Sequence, residues 1–220
     1  MAENNFSRQS DKPGRVIYLH TGAFILLLLI TWMVFVSRYT ALDESVFSFI
    51  SPYITPERTG WMKAITILGN HKFLIPANLL LIAVLFLLNE RFSAWQVWVV
   101  SLSSLGLKLG LKELFARNRP DQPMVEGITN YSFPSGHALM SVAFFGILIW
   151  FADKYILSAF WRRACISFLV VLILAISFSR VYLRVHYTTD VLAGLCLGSC
   201  WLYFCLWFTE KLRYRRRQGL

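Results

Sequence analysis

Long runs of apolar residues, separated by short polar segments, dominate the chain. Six of these runs approach the length of about 20 residues that an α-helix needs to cross a bilayer. They cover residues 16–37, 72–89, 95–113, 138–153, 164–181 and 189–208. The pattern predicts an all-α, polytopic membrane protein in which six transmembrane helices form one bundle.

The composition also favours a membrane protein over a soluble one. Hydrophobic residues make up 56% of the 220 residues and charged residues only 15%, whereas about 25% of a soluble domain is charged. The formal net charge of +10 suits contact with anionic lipid. Because no soluble basic module is apparent, we expect the lipid bilayer as a partner and no nucleic acid. The four cysteines fall in or beside apolar runs and are interpreted as packing residues.

The polar ends of the chain predict its orientation. Six spans would place both termini on one side, and the Lys and Arg residues near the termini predict that this side is the cytoplasm. The first run is interpreted as a retained anchor, since it is too long for a signal peptide and no small-residue cleavage site follows it. We therefore expect a cell-membrane protein with a polar cytoplasmic tail (1–15), a membrane domain (16–208) and a basic cytoplasmic tail (209–220).

Three segments would then lie on the periplasmic or exterior side, namely 38–71, 114–137 and 182–188. The first is the longest and contains Pro52, Pro56 and Gly60 as helix breakers. Its apolar residues suit a short helix lying in the membrane interface. Two interpretations stay open for this segment: a lid or lateral entrance for a lipid, or packing against the bundle.

The other two segments carry ionisable residues at the edge of the predicted spans, where such residues are costly and therefore indicate function. Lys112 and Arg119 are seven residues apart, so a continuous helix would place them on one face, and Pro120 would end it. Arg offers a planar fork that matches phosphate oxygens, and Lys offers a point charge. The alternative is a solvated, positively charged helix end.

The sequence Pro134-Ser135-Gly136-His137 precedes the fourth apolar run. Ser135 is a predicted N-cap, and Gly136 would let the backbone approach a ligand closely. The first N–H groups of the helix would face an anion, with His137 beside it as a proton donor. The alternative is an ordinary capped helix start with an interfacial histidine.

A third polar group follows the fifth run: Ser179-Arg180, then His186 and Asp190. One helical turn separates His186 from Asp190, so the carboxylate can bond one ring nitrogen if the last helix starts early enough. The other nitrogen would then be free to act as a nucleophile. The alternative is a His–Asp cap. Metal catalysis fits poorly, because His137, His186 and Asp190 are the obvious ligands and the nearby cations would repel a metal.

In order and spacing, these residues resemble the three signature motifs of the type 2 phosphatidic acid phosphatase (PAP2) superfamily. All eleven specified positions match in Lys112-x6-Arg119-Pro120, Pro134-Ser135-Gly136-His137 and Ser179-Arg180-x5-His186-x3-Asp190. The resemblance implies an integral membrane lipid phosphatase that acts on a phosphorylated membrane lipid through a phosphohistidine. The implied substrates are phosphatidylglycerol phosphate, phosphatidic acid, undecaprenyl diphosphate or a similar lipid. It implies no metal and no other cofactor.

The resemblance also implies a role for each matching residue. His186 would be the nucleophile, Asp190 would orient it, and His137 would protonate the leaving oxygen. The implied phosphate-binding residues are Lys112, Arg119, Ser135, Gly136 and Arg180. Two rival functions stay open, a lipid-to-lipid phosphotransferase of the same family and a non-enzymatic binder or transporter of anionic lipid. Arg184 would either bind a second phosphate or anchor the chain at the interface.

Overall fold

The computed structural model describes residues 13–218, and within that range the chain is helical and contains no strand. The predicted tails 1–15 and 209–220 lie partly outside the described residues. The helices are α1 (Pro13–Phe35), α2 (Ala41–Ile50), α3 (Pro56–Ile67), α4 (His71–Leu87), α5 (Arg91–Phe115), α6 (Gly136–Tyr155), α7 (Ala159–Tyr182) and α8 (Thr188–Arg217), with a 3₁₀ turn at Ser51–Tyr53 after α2.

Each of the six predicted spans falls on one long helix: α1, α4, α5, α6, α7 or α8. By length and composition, five stretches of the described chain could cross a membrane. They are Ile17–Phe35, Pro56–Leu87, Gly136–Tyr155, Ala159–Tyr182 and Thr188–Arg217. The third predicted span, on α5, is not among them, and α3 joins α4 in the second stretch. The all-helical membrane fold is confirmed, and the number of six spans stays a prediction.

The helix ends in the first half of the chain follow local signals. Thr55 caps α3 by accepting a hydrogen bond from the Arg58 N–H at 3.3 Å, with a proline at the first helical position. Asn70 caps α4 by accepting from the Lys72 N–H at 3.0 Å. The chain leaves α5 at Ala116, whose left-handed backbone (φ 42°) cannot continue a helix. Two polar capping side chains thus set where α3 and α4 begin, and the left-handed backbone of Ala116 sets where α5 ends.

The centre of the bundle is α6, which packs against α5, α7 and α8. Its contact with α8 is close because α8 carries Gly194 and Gly198. A Cβ atom at Gly198 would lie 2.9 Å from the Cβ of Val142, which is too short for two carbon atoms. Small residues of this kind let membrane helices approach each other. The N-terminal ends of the two helices therefore meet, and the Ser135 N–H donates to the Asp190 carbonyl at 3.0 Å.

The segment 38–71 packs against α7 and α8 through α2 and α3. Ile50 is buried in a cluster that includes residues of the α7–α8 turn. The Tyr182 hydroxyl, at the end of α7, donates to the Tyr53 carbonyl at 3.2 Å and accepts from the Thr55 N–H at 3.3 Å. In contrast, Trp61 is 71% exposed. The segment thus covers one end of the bundle, at the C-terminal end of α7.

Candidate active site

His186 lies in the turn between α7 and α8 and is 1% exposed. Its Nδ1 atom is 3.2 Å from the Ser132 hydroxyl and 3.5 Å from Oδ2 of Asp190. The Ser132 hydroxyl donates to the same carboxylate oxygen. The ring nitrogen is thus held by a serine and an aspartate together.

The pairing of His186 with Asp190 does not depend on an early helix start. The last helix begins at Thr188, after the histidine, so the two residues do not share a regular helical turn. Asp190 instead folds back at the third position of α8 and accepts a hydrogen bond from the Tyr187 N–H at 2.9 Å. This capping contact places the carboxylate beside the turn that carries His186.

The other ring nitrogen of His186 faces Arg119. Nη1 of Arg119 is 3.4 Å from Nε2 of His186 and also donates to the Val185 carbonyl. Asn130 holds the guanidinium, accepting from Nε at 2.7 Å through its carbonyl and from Nη2 at 2.5 Å through its side chain. Burial lowers the pKa of Arg119, and the negative charge of Asp190 opposes that shift.

Lys112 and Arg119 come together, although not by the route predicted from the sequence. A single helix ending at Pro120 was expected, but α5 ends at Phe115 and Arg119 lies in the following loop. That prediction is wrong because Ala116 adopts a left-handed conformation, which breaks the helix. The loop returns so that the Lys112 ammonium and Nη2 of Arg119 both donate to the Tyr131 carbonyl.

Three buried polar atoms of the predicted site lack a hydrogen-bond partner among the described residues. They are Nε of Arg180, Nε2 of His137 and the hydroxyl of Ser135. Ser135 occupies the predicted N-cap position, but its side chain makes no capping bond. Leaving such atoms unpaired costs free energy, about 1–3 kcal/mol each. Phosphate oxygens would satisfy a donor set of this kind.

Arg180 is buried at the end of α7, and its Nη1 donates to the Thr66 hydroxyl of α3 at 2.7 Å. His137 lies near the α3–α4 turn, where a Cβ atom at Gly69 would come within 3.0 Å of the imidazole Cδ2. The segment 38–71 therefore contacts Arg180 and lies close to His137.

Gly136 lies where the side chains of Lys108 and Lys112 pack against the start of α6. A Cβ atom there would be 2.9 Å from Cδ of Lys108 and 3.7 Å from Cε of Lys112. Lys108 was not predicted from the sequence. It lies one helical turn before Lys112 and makes no hydrogen bond or ion pair with another described residue. Lys108 is thus a cation close to Gly136, in addition to the predicted Lys112, Arg119 and Arg180.

The environment of His186 favours a neutral imidazole. Burial lowers the pKa of His186 to about 3, and the hydrogen bond and charge of Asp190 only partly oppose this effect. A neutral ring keeps a lone pair available for attack on phosphorus. The histidine is therefore in the ionisation state that a nucleophile requires.

Sequence reasoning missed Ser132 and Arg117, which contact Asp190, and Asp43, which contacts Arg117. Ser132 contacts one carboxylate oxygen, and Nη1 of Arg117 donates to the other at 2.5 Å. Nη2 of Arg117 donates to Asp43 of α2 at 3.0 Å. Closeness to the motifs could have suggested Ser132 and Arg117, but Asp43 lies far away in the sequence. Within residues 13–218, no three His, Cys, Asp or Glu side chains gather as a metal site would need.

Arg184 contacts residues of the segment 38–71 and not the predicted phosphate-binding residues. Its Nη2 donates to the Ser51 hydroxyl at 2.8 Å, and its guanidinium carbon is 5.7 Å from the centre of the Phe47 ring. The side chain lines an open cleft of about 490 Å³ between α2 and the turn before α8. The structure thus ties Arg184 to the segment 38–71.

The sequence is similar to that of known proteins. A model of the PAP2 superfamily matches residues 93–214. Phosphatidylglycerophosphatase B of Bacillus subtilis is 28% identical over 204 residues, which are 92% of this chain and 100% of that protein. The undecaprenyl-diphosphatase of Sulfolobus acidocaldarius is 40% identical over 76 residues, 34% of this chain and 32% of that protein.

A solved structure shows the same fold. The crystal structure of a transmembrane PAP2-type phosphatidylglycerolphosphate phosphatase from Bacillus subtilis superposes with a TM-score of 0.80 at 26% identity. The match covers 88% of this chain and 97% of that chain.

Proposed function

The chain belongs to the PAP2 superfamily, and we propose that it is a membrane lipid phosphatase that cleaves a phosphate monoester or diphosphate of a lipid. The observation that carries this proposal is the position of His186. Its Nδ1 faces Ser132 and Asp190, and its Nε2 faces the guanidinium of Arg119. A neutral histidine held in this way can attack a phosphate that the guanidinium binds.

The proposed reaction has two steps. Nε2 of His186 attacks phosphorus, a P–N bond forms, and the P–O bond to the lipid breaks while His137 gives a proton to the leaving oxygen. Water then attacks the phosphohistidine, the P–N bond breaks, and inorganic phosphate leaves while His137 accepts a proton from the water. Asp190 and Ser132 stabilise the positive charge that develops on the imidazole during attack.

Positioned cations supply the rest of the catalytic effect. Phosphoryl transfer depends mostly on orienting the phosphate and stabilising charge on its oxygens. Lys112, Arg119 and Arg180 would bind those oxygens, together with the Ser135 hydroxyl and the backbone at Gly136. The unpaired buried atoms of Arg180 and Ser135 support this assignment.

The substrate would enter from the bilayer with its phosphate at the end of the helices. The site is built from the C-terminal ends of α5 and α7 and the N-terminal ends of α6 and α8, which share one end of the bundle. We place this end on the periplasmic or exterior side of the cell membrane, with both termini in the cytoplasm. The names of the relatives favour phosphatidylglycerol phosphate and undecaprenyl diphosphate as substrates, and phosphatidic acid shares the reacting group.

A lipid-phosphate panel tests the proposal on the purified full-length protein in the presence of EDTA. We expect wild type to release inorganic phosphate and His186→Ala to release none. His71→Ala is the matched control, because that histidine is exposed at the start of α4. Acid-labile, alkali-stable label on the protein, trapped during turnover and absent from His186→Ala, would identify the phosphohistidine. Equal turnover by His186→Ala and wild type would reject the mechanism.

The same assay separates the rival functions. Phosphate that appears only as a phosphorylated acceptor lipid would indicate a phosphotransferase. Binding of the lipids without any release or transfer would indicate a non-enzymatic binder or transporter.

A further inference from the structure

Arg117 joins two buried carboxylates that belong to different parts of the fold. Its Nη1 donates to Oδ1 of Asp190 at 2.5 Å, and its Nη2 donates to Oδ2 of Asp43 at 3.0 Å. The guanidinium also lies 4.1 Å from the centre of the Tyr187 ring. The side chain of Arg117 is only 14% exposed, and those of the two aspartates are 2% exposed or less.

Asp43 is fixed from a second direction by the start of α8. Its Oδ1 accepts from the Thr189 N–H at 2.9 Å, and its Oδ2 accepts from the Thr189 hydroxyl at 2.8 Å. The first N–H groups of a helix have no partner within the helix, so a carboxylate there is stabilising. Asp43 thus holds both Arg117 and the N-terminal end of α8, the helix that carries Asp190.

These contacts complete the restraint of the Asp190 carboxylate. One of its oxygens binds the Ser132 hydroxyl and the Tyr187 N–H and lies closest to His186. The other oxygen accepts a hydrogen bond from Arg117. Arg117 is held in turn by Asp43 of α2. Without Arg117, only the hydrogen bonds to the first oxygen would oppose rotation of the carboxylate about its terminal bond, so its orientation towards the histidine would be less well fixed.

We propose that Arg117 and Asp43 are positioning residues, which hold Asp190 in the orientation that His186 needs during phosphoryl transfer. In this arrangement α2, outside the motif segments, is a functional part of the active site. The inference rests on the proposed function, because it takes His186 as the nucleophile and Asp190 as its partner.

The cost of burying these groups argues against a purely structural role. Desolvating a buried ion pair often costs as much free energy as the pair returns, and apolar replacements are often neutral or stabilising. An Arg fork that bonds both carboxylates fixes geometry in a way that a Lys point charge cannot.

The test compares two variants of the network, a matched control variant and His186→Ala with wild type, all as full-length protein, in lipid phosphatase assays. The double variant Asp43→Asn/Arg117→Met removes the charges of Asp43 and Arg117 together, so that no buried cation is left unpaired, and Asp190 keeps its hydrogen bonds from Ser132 and Tyr187. We expect it to fold, with kcat reduced roughly 10- to 100-fold, as when groups that orient a catalytic side chain are removed, and with KM near the wild-type value. Arg117→Lys should recover part of the lost kcat because it keeps the charge but not the fork.

The matched control is Asp153→Asn/Arg162→Met. Asp153 and Arg162 form another Asp–Arg pair, 3.6 Å apart, at the α6–α7 connection, away from the site. This variant should match wild type in kcat and KM. Melting temperatures of all variants separate a loss of folding from a loss of positioning.

Two results would overturn the inference: wild-type kcat in the Asp43→Asn/Arg117→Met variant, or a fall in kcat/KM that comes from KM alone. If the double variant does not fold, Arg117→Lys decides the question. A wild-type melting temperature and an unchanged kcat for Arg117→Lys would also overturn the inference. His186→Ala is assayed in parallel. If His186→Ala stays active, the proposed function fails, whereas an inactive His186→Ala beside fully active network variants rejects only the positioning role.

Discussion

Nη1 of Arg119 lies 3.4 Å from Nε2 of His186, and Oδ2 of Asp190 lies 3.5 Å from Nδ1 of the same ring. The two nitrogens of one imidazole therefore face opposite charges. A phosphate bound at Nε2 would contact the guanidinium, while the carboxylate would stabilise the positive charge that forms on the ring.

Replacing Arg119 should remove a fixed donor to the charge that develops on the phosphate oxygens. We expect Arg119→Ala to reduce kcat/KM by about 10²–10³, the usual cost of losing one such donor. Arg119→Lys should recover only part of the loss, since Asn130 and Tyr131 hold a planar fork. Phosphate release measures the effect. Arg58→Ala, at an exposed arginine of α3, is the control, and wild-type activity of Arg119→Ala would contradict the assignment.

The ionisation of His186 should be unusual for a histidine. Burial lowers the pKa of His186 to about 3, so the ring should stay neutral as the pH falls from 8 to about 4, whereas an ordinary histidine gains a proton near pH 6.5. Nitrogen-15 NMR of labelled histidine in micelles measures this directly. The chain has four histidines, and the signal missing from His186→Asn identifies the residue. A midpoint between pH 6 and 7 for that signal would show that the prediction is wrong.

Ser132 should be needed to connect His186 with Asp190. Without its hydroxyl, 3.5 Å would separate Nδ1 from the carboxylate oxygen, which is longer than the usual 2.7–3.2 Å of an N–H···O bond. We expect Ser132→Ala to lower kcat roughly tenfold, as for other groups that orient a catalytic side chain. Ser158→Ala, an exposed serine before α7, should have no effect. A Ser132→Ala variant with normal kcat would mean that Asp190 acts on the ring by itself.

Gly69 should be required for the position of His137. A Cβ atom at Gly69 would lie 2.5 Å from Cγ2 of Ile176 and 3.0 Å from the His137 ring. Overpacking of this kind typically costs about 1–3 kcal/mol. We expect Gly69→Ala to lower both the melting temperature and kcat.

Gly60→Ala is the matched control for this substitution. Nothing lies within 4 Å of a Cβ atom at Gly60, which is inside α3. Alanine favours a helix by about 0.5–1 kcal/mol over glycine, so the melting temperature should rise slightly and kcat should not change. Equal melting temperatures for the two variants would contradict the predicted clash.

Much of the fold could be predicted because its signals are local. Apolar runs mark the long helices, since a segment in lipid must satisfy its own backbone hydrogen bonds. The end of α5 could not be predicted in the same way. Pro120 was an evident stop signal, but the chain leaves the helix at Ala116, a residue type that rarely adopts a left-handed conformation.

The sequence by itself determined the helical membrane class and the residue types of the candidate site. Spacing and chemistry alone indicated Lys112, Arg119, His137, Arg180, His186 and Asp190. Only the tertiary structure decided that Asp43 and Thr66, from the segment 38–71, contact Arg117 and Arg180. The reason is physical: periodicity and helix capping act between residues close in the chain, whereas these contacts exist only after α2 and α3 have packed against the bundle.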